Sequence, residues 1–206
     1  MILRFLHGWG FDAAFWSGLA AELADWRTVA DDRGYFGAPD AGVSSGPCIV
    51  VAHSFGAMRA LSAPPAGCRG LIVINGFDRF VPGVSRRILD RMLARFDADP
   101  AAVLGDFRQR CGEVRPFGEI AAAPLRQDLL ALRDGDCTDH SAAWPVPIMS
   151  LQGADDPLLP ASMREQVFAD APVLERRVHP GGGHLLPIAD PAWCARAVRA
   201  FAEHIA

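Results

Sequence analysis

The chain has 206 residues, 50% of them hydrophobic, and a formal net charge of −4. That is enough for one globular domain, residues 1–206, with a sizeable core, and the acidic balance excludes a general affinity for nucleic acid or an anionic membrane. No apolar run is as long as a membrane span, the five cysteines follow no pairing motif, and all twenty basic residues are arginine, which excludes lysine-based chemistry.

Ile2-Leu3-Arg4-Phe5-Leu6 reads as a short strand (2–6) that starts at once, so no leader segment is expected. It runs into His7-Gly8-Trp9-Gly10-Phe11, a turn whose glycines let backbone N–H groups face outward. Residues 12–24 read as helical, with Asp12 as the cap and Phe15, Trp16, Leu19 and Leu23 as the apolar residues. Strands are expected at 27–31 and 48–52. The segment Val50-Val51-Ala52-His53-Ser54-Phe55-Gly56-Ala57 then turns from a β-branched strand end into a helix over 55–62.

Small residues two before and two after a serine suit a strained strand-to-helix elbow, because backbone and helix come very close there. Such an elbow lifts the serine Oγ out at the top of a parallel sheet. An ordinary strand–loop–helix junction would look similar in isolation. The glycine turn at 7–11 strengthens the reading, since it can donate one N–H to an oxyanion hole while the residue after the serine donates the other. Ser54 is therefore the candidate nucleophile, and the amides of Trp9 and Phe55 are the candidate oxyanion donors.

After a strand at 71–75, residues 77–144 interrupt the alternation for far longer than an ordinary crossover. Ser85 to Phe96 is amphipathic, with Ile88, Leu89, Met92, Leu93 and Phe96 on one side, and further helical pieces follow near 100–111 and 121–133. An all-helical insertion over the strand ends would be a lid that shapes an acyl pocket and excludes water. Arg87, Arg91 and Arg95 form an i, i+4, i+8 stripe with Arg86 beside it. The stripe reads either as a solvated helix face or as a docking patch for an acidic carrier of the substrate, since arginine forks pair with carboxylates and phosphates.

A strand at 147–151 leads into Gln152-Gly153-Ala154-Asp155-Asp156-Pro157. The chain order Ser, Asp, His puts the acid that orients the base in such a loop. Asp156 is preferred, with Asp155 as the fallback and otherwise a loop-capping residue. The last strand, 173–178, is followed by His179-Pro180-Gly181-Gly182-Gly183-His184. His184, beyond the glycine run, is the expected base, on a loop flexible enough to swing its imidazole over Ser54. His179, at the strand end, reads as structural. No cysteine or carboxylate lies at ligand spacing around the two histidines, so neither a metal nor another cofactor is expected. The final helix opens with Asp190 as N-cap and Pro191 at its first position, and Cys194, Ala197, Val198, Phe201 and Ile205 recur at helical spacing. Strands alternating with helices make the fold class α/β, a parallel sheet between helix layers with its site at the strands' C-terminal ends.

With these motifs in place, the chain resembles the α/β-hydrolase superfamily along essentially its whole length. The resemblance implies a three-layer sandwich of about six parallel strands, the first two family strands missing, with the helical lid inserted after the fourth. It implies a Ser54, Asp156 and His184 triad, with Ala52 standing where the elbow usually has glycine. A dehalogenase would need a carboxylate at position 54. One branch is matched more closely: the stretch from His7 to Trp16 looks like the opening of the pimeloyl-acyl-carrier-protein methyl ester esterases, the BioH-like carboxylesterases of biotin synthesis. Leu125-Arg126-Gln127-Asp128-Leu129-Leu130 and Leu132-Arg133-Asp134-Gly135-Asp136 are similar to that branch's lid. The branch implies a serine carboxylesterase acting on an acyl ester presented by an acyl carrier protein, which Arg87, Arg91 and Arg95 would hold. The scattered cysteines suit the reducing cytoplasm. The alternatives are a general short-chain esterase or thioesterase with no carrier, and a non-catalytic ligand-binding module. Trp9, Phe55, Phe77 and Phe80 are expected to line the pocket.

Overall fold

Six strands form one sheet in the order β2-β1-β3-β4-β5-β6, with every neighbouring pair parallel. They are β1 (Ile2–Leu6), β2 (Arg27–Ala30), β3 (Cys48–His53), β4 (Cys68–Ile74), β5 (Ile148–Gly153) and β6 (Leu174–His179). The computed structural model describes residues 1–42 and 46–205. Within these, the helices are α1 (Ser17–Glu22), α2 (Gly56–Ser62), α3 (Arg86–Ala98), α4 (Pro100–Cys111), α5 (Ala122–Asp134), α6 (Thr138–Ala142), α7 (Ala161–Gln166), α8 (Leu186–Ala189) and α9 (Pro191–Ile205). All six expected strands are present and the fold is that of an α/β hydrolase.

Successive strand side chains point to opposite faces. Val50, Ala52, Leu71 and Val73 therefore enter a core shared with α2 to α5, while Ile49, Val51, Ile72 and Ile74 enter one shared with α1 and α9. Covering both faces is what makes the inner strands apolar throughout, and β3 is buried at every position. The edge strands β2 and β6 are only partly covered.

The expected helix at 12–24 is instead a 3-10 turn, Ala13–Trp16, followed by α1. Asp12 makes no side-chain cap. The carboxylate of Asp32, from the segment after β2, accepts from the Ala13 N–H at 3.1 Å in its place. At the other end of the chain Asp190 does cap α9, accepting from the Trp193 N–H at 2.9 Å. The short helices α6, α7 and α8 carry too few turns to leave a periodic pattern in the sequence.

Helices α3 to α6 occupy the interval between β4 and β5, the place of the expected lid. Polar contacts stitch them to the segments that follow β1 and β2. The Trp9 indole N–H donates to the Leu125 carbonyl of α5 at 2.8 Å. Asp128 of α5 accepts from Arg33 at 2.7 and 2.5 Å and from the Tyr35 hydroxyl at 2.6 Å. Arg108 of α4 donates to the Gly10 carbonyl at 2.9 Å, its guanidinium held 5.2 to 5.7 Å from the rings of Phe11, Phe36 and Phe117. Ile88 shares the apolar side of α3, lining a cavity beside Leu89 and Met92, but at 46% exposed it is not packed into the core as Leu89, Leu93 and Phe96 are. None of the described helices is long and apolar enough to cross a membrane.

Candidate active site

After β1 the chain goes to β2 on one side and then to β3 on the other, so the crevice between the ends of β1 and β3 is the topological switch point of the sheet. Leu6 and Ala52 pair there. The two loops that follow them, 7–11 and the turn at Ser54, meet directly. A Cβ on Gly8 would lie 2.9 Å from the Ser54 Cβ, and a Cβ on Gly56 would lie 2.3 Å from the Leu6 carbonyl oxygen. Only glycine fits at either place. Ser54 itself has a φ of 53°, a left-handed conformation that side chains rarely adopt, and its N–H is tied to the Ile74 carbonyl at 3.1 Å. Ala52, at the usual glycine position of the elbow, is fully buried in the core.

Beyond β5 the chain places Asp156 inside and Asp155 outside. Asp156 Oδ1 accepts from the N–H groups of Leu158 and Leu159 at 2.8 and 3.2 Å, which fixes the carboxylate and leaves Oδ2 for His184 Nδ1 at 2.8 Å. Asp155 was the expected loop cap; the capping is done by Asp156 itself, and the Asp155 side chain is exposed. His184 Nε2 lies 3.1 Å from Ser54 Oγ, and the imidazole and the Asp156 carboxylate are both fully buried. With the carboxylate at Nδ1, that nitrogen carries the proton and Nε2 is free to accept the Ser54 hydroxyl proton.

The glycine run before His184 packs against the acid loop. The Asp155 N–H donates to the Gly182 carbonyl at 2.9 Å, and a Cβ on Gly153 would lie 2.2 Å from that same oxygen. Close approach therefore requires glycine at 153, and at 182, where a Cβ would meet Leu186 at 2.4 Å, while Gly181 and Gly183 have open space around them. His179 accordingly stays at the strand end, 3.2 Å from Asp190 of the α9 cap. His53, one residue beyond the expected strand at 48–52, is the last residue of β3. It is fully buried, its Nε2–H donates to the His184 carbonyl at 3.0 Å, and its ring stacks on Phe15. Burial pushes the His53 imidazole well below the ordinary histidine range. Asn75, at the end of β4, bonds to the same carbonyl and escaped the sequence reading. The one available signal was a polar residue just past a strand's C-terminal end, where α/β sites gather.

Phe55 opens α2, and among the described residues neither its amide nor that of Trp9 donates to a protein acceptor. Their side chains go elsewhere than expected. The Trp9 indole is buried against Phe96 and Phe107 and bonded to α5, and Phe55 is in the core. A cavity of about 930 Å³ reaches Ser54, walled by Phe77, Phe80, Met92, Val103, Phe107 and Leu129. Arg91, Arg95, Asp106 and Arg110 stand around it. The lid stripe is thus divided: Arg95 pairs with Asp106 at 2.6 Å, Arg91 faces the cavity with no carboxylate partner among the described residues, and Arg87 is exposed away from it. Arg86 pairs with Asp134.

Comparison with known proteins agrees with this architecture. The sequence profile of the alpha/beta hydrolase family matches residues 5–197. The chain belongs to the alpha/beta hydrolase family. Among solved structures it is similar to the esterase EaEST from Exiguobacterium antarcticum, with 17% identity, coverage of 98% of this chain and 92% of that one, and a TM-score of 0.86. A bromoperoxidase from Bacillus anthracis is 13% identical over 98% of this chain and 91% of its own, with a TM-score of 0.82. A thermophilic esterase from Thermogutta terrifontis is 20% identical over 100% and 90%, with a TM-score of 0.78. At these identities the likeness is one of fold. No curated protein matches the chain.

Proposed function

We propose that this protein is a serine carboxylesterase that cleaves an acyl ester through Ser54, His184 and Asp156. The observation that carries the reading is His184 bridging Ser54 Oγ at 3.1 Å and Asp156 Oδ2 at 2.8 Å with both side chains buried. Ser54 Oγ attacks the ester carbonyl carbon as His184 Nε2 takes its proton, and the tetrahedral oxyanion is held by the Trp9 and Phe55 amides. His184 returns the proton to the departing alcohol, leaving an acyl-Ser54. Water then attacks with His184 again as base, and the acid is released with Ser54 restored. Asp156 stays ionised throughout and holds the imidazole tautomer.

The narrower substrate we propose is the methyl ester of a pimeloyl chain on acyl carrier protein. It is supported by the resemblance of residues 7–16 to the esterases that act on it and by the positive residues around the cavity: Arg91, Arg95 and Arg110 against Asp106 leave a balance of +2 from three positive and one negative side chain. The test is hydrolysis of the carrier-bound methyl ester beside a panel of p-nitrophenyl esters, by wild type and Ser54→Ala. Removing Ser54 is expected to lower turnover by at least about 10⁴-fold; undiminished activity would end the mechanism. Carrier substrate turned over far faster than free esters would support the narrow reading. Activity confined to small free esters would leave a general esterase with a plain hydrophobic lid.

A further inference from the structure

The carbonyl oxygen of His184 accepts two buried side-chain hydrogen bonds, from His53 Nε2 at 3.0 Å and from Asn75 Nδ2 at 2.9 Å. Asn75 does more than share this oxygen. Its Nδ2 also donates to the Gly183 carbonyl at 2.9 Å, and its Oδ1 accepts from the Gly153 N–H at 2.7 Å. One fully buried amide therefore spans the roots of two loops: Gly153 ends β5 three residues before Asp156, and Gly183 directly precedes His184. The orientation of the amide follows from its partners. Turned over, it would set its oxygen against two carbonyl oxygens and its NH2 against an N–H. The residue is itself held in place, with a φ of 47° and its own N–H bonded to the Leu151 carbonyl at 2.8 Å. Asparagine tolerates that left-handed backbone better than most residues.

We infer that Asn75 is a positioning residue for the ester-cleaving site. Its side-chain amide locks the acid loop to the base loop and so sets the line from Asp156 through His184 to Ser54. The inference rests on the serine-hydrolase reading above. Small errors in the placement of a reacting group are expensive in rate, and among the described residues no other side chain from outside the two loops bonds to both of them.

The experiment is a double-mutant cycle. Asn75→Ala removes all three bonds. Asn75→Asp keeps the shape and the Gly153 bond but sets an oxygen against the Gly183 and His184 carbonyls, and it decides the matter where the alanine variant is too unstable to assay. Each is expected to lower kcat roughly tenfold to a hundredfold with KM within about twofold of wild type, and to slow fluorophosphonate labelling of Ser54 in parallel. In an Asp156→Asn background, where the imidazole has already lost its orienting partner, the further loss from Asn75→Ala is expected to shrink to about threefold or less. Wild-type kcat in both Asn75 variants would overturn the inference. So would an equal fold-loss in both backgrounds, which is what a purely structural role gives. A wild-type enzyme that neither turns over an ester nor labels at Ser54 would instead end the serine-hydrolase reading, a result distinct from either of these.

Discussion

His53, at the end of β3, and His7, in the loop after β1, flank the elbow, and each keeps its imidazole neutral for a nameable reason. His53 is fully buried, its Nε2–H spent on the His184 carbonyl. His7 donates from Nδ1 to the Gly8 carbonyl at 2.8 Å and accepts at Nε2 from the Arg33 N–H at 3.1 Å. Burial pushes both below the ordinary value of 6.5. In the unfolded chain they regain that value, so on acidification the unfolded state takes up protons that the folded state refuses. Stability is then full above about pH 6.5 and falls as the pH drops below it, at up to about 1.4 kcal/mol per pH unit for each group. Denaturant midpoints are expected to drop between pH 7.5 and 5.5, and to drop less in His53→Gln. An unchanged midpoint over that range would contradict the buried neutral pair.

Among the elements, α4 and α5 matter beyond roofing the cavity. Each reaches back to a loop that serves the site: Arg108 of α4 to the Gly10 carbonyl, and Leu125 of α5 to the Trp9 indole. The Trp9 loop is therefore clamped from above by the lid and from beside by the elbow. Asp128 is the strongest of these ties, accepting from Arg33 twice and from Tyr35 within a site that leaves its own side chain 6% exposed. Removing one partner of such a pair strands the other charge away from water. Asp128→Asn is expected to cost about 2 kcal/mol in a urea titration, because Arg33 keeps some solvent contact. A change below about 0.5 kcal/mol would mean that the pair is only a surface contact. The amphipathic pattern of 85–96 was legible because α3 packs one face on the core. That Ile88 lines a cavity was not, since a helix with a wide apolar stripe does not say which part of it meets a neighbour and which a void.

At the scale of the molecule the charge is uneven: −4 overall, yet with three arginines against one aspartate among the residues that line the cavity reaching Ser54. If an acidic carrier docks there, screening should weaken it selectively. Raising salt from about 0.1 M to about 1 M shortens the screening length from about 10 Å to about 3 Å. KM for the carrier-bound ester is expected to rise over that range, while KM for a neutral p-nitrophenyl ester stays level. Equal responses from the two substrates would place the carrier, if any, elsewhere.

The six strands, the longer helices, the turn at Ser54, and the positions of Asp156 after β5 and His184 after β6 were all legible in the sequence. Each is written in residues close together: a β-branched run, a small residue two places from a serine, a glycine before an aspartate. Local sterics and side-chain periodicity act over that same range. What only the tertiary structure decided depends on residues far apart in the chain. Asn75 and His184 meet across 109 positions and Trp9 and Leu125 across 116. So it was the fold that chose Asp32 over Asp12 as the cap, turned Trp9 away from the cavity, paired Arg95 while leaving Arg91 lining the cavity, and packed Gly153 against the carbonyl of Gly182. Each of these outcomes is a competition between partners for one buried group, and proximity in the folded chain, which no local pattern encodes, settles it.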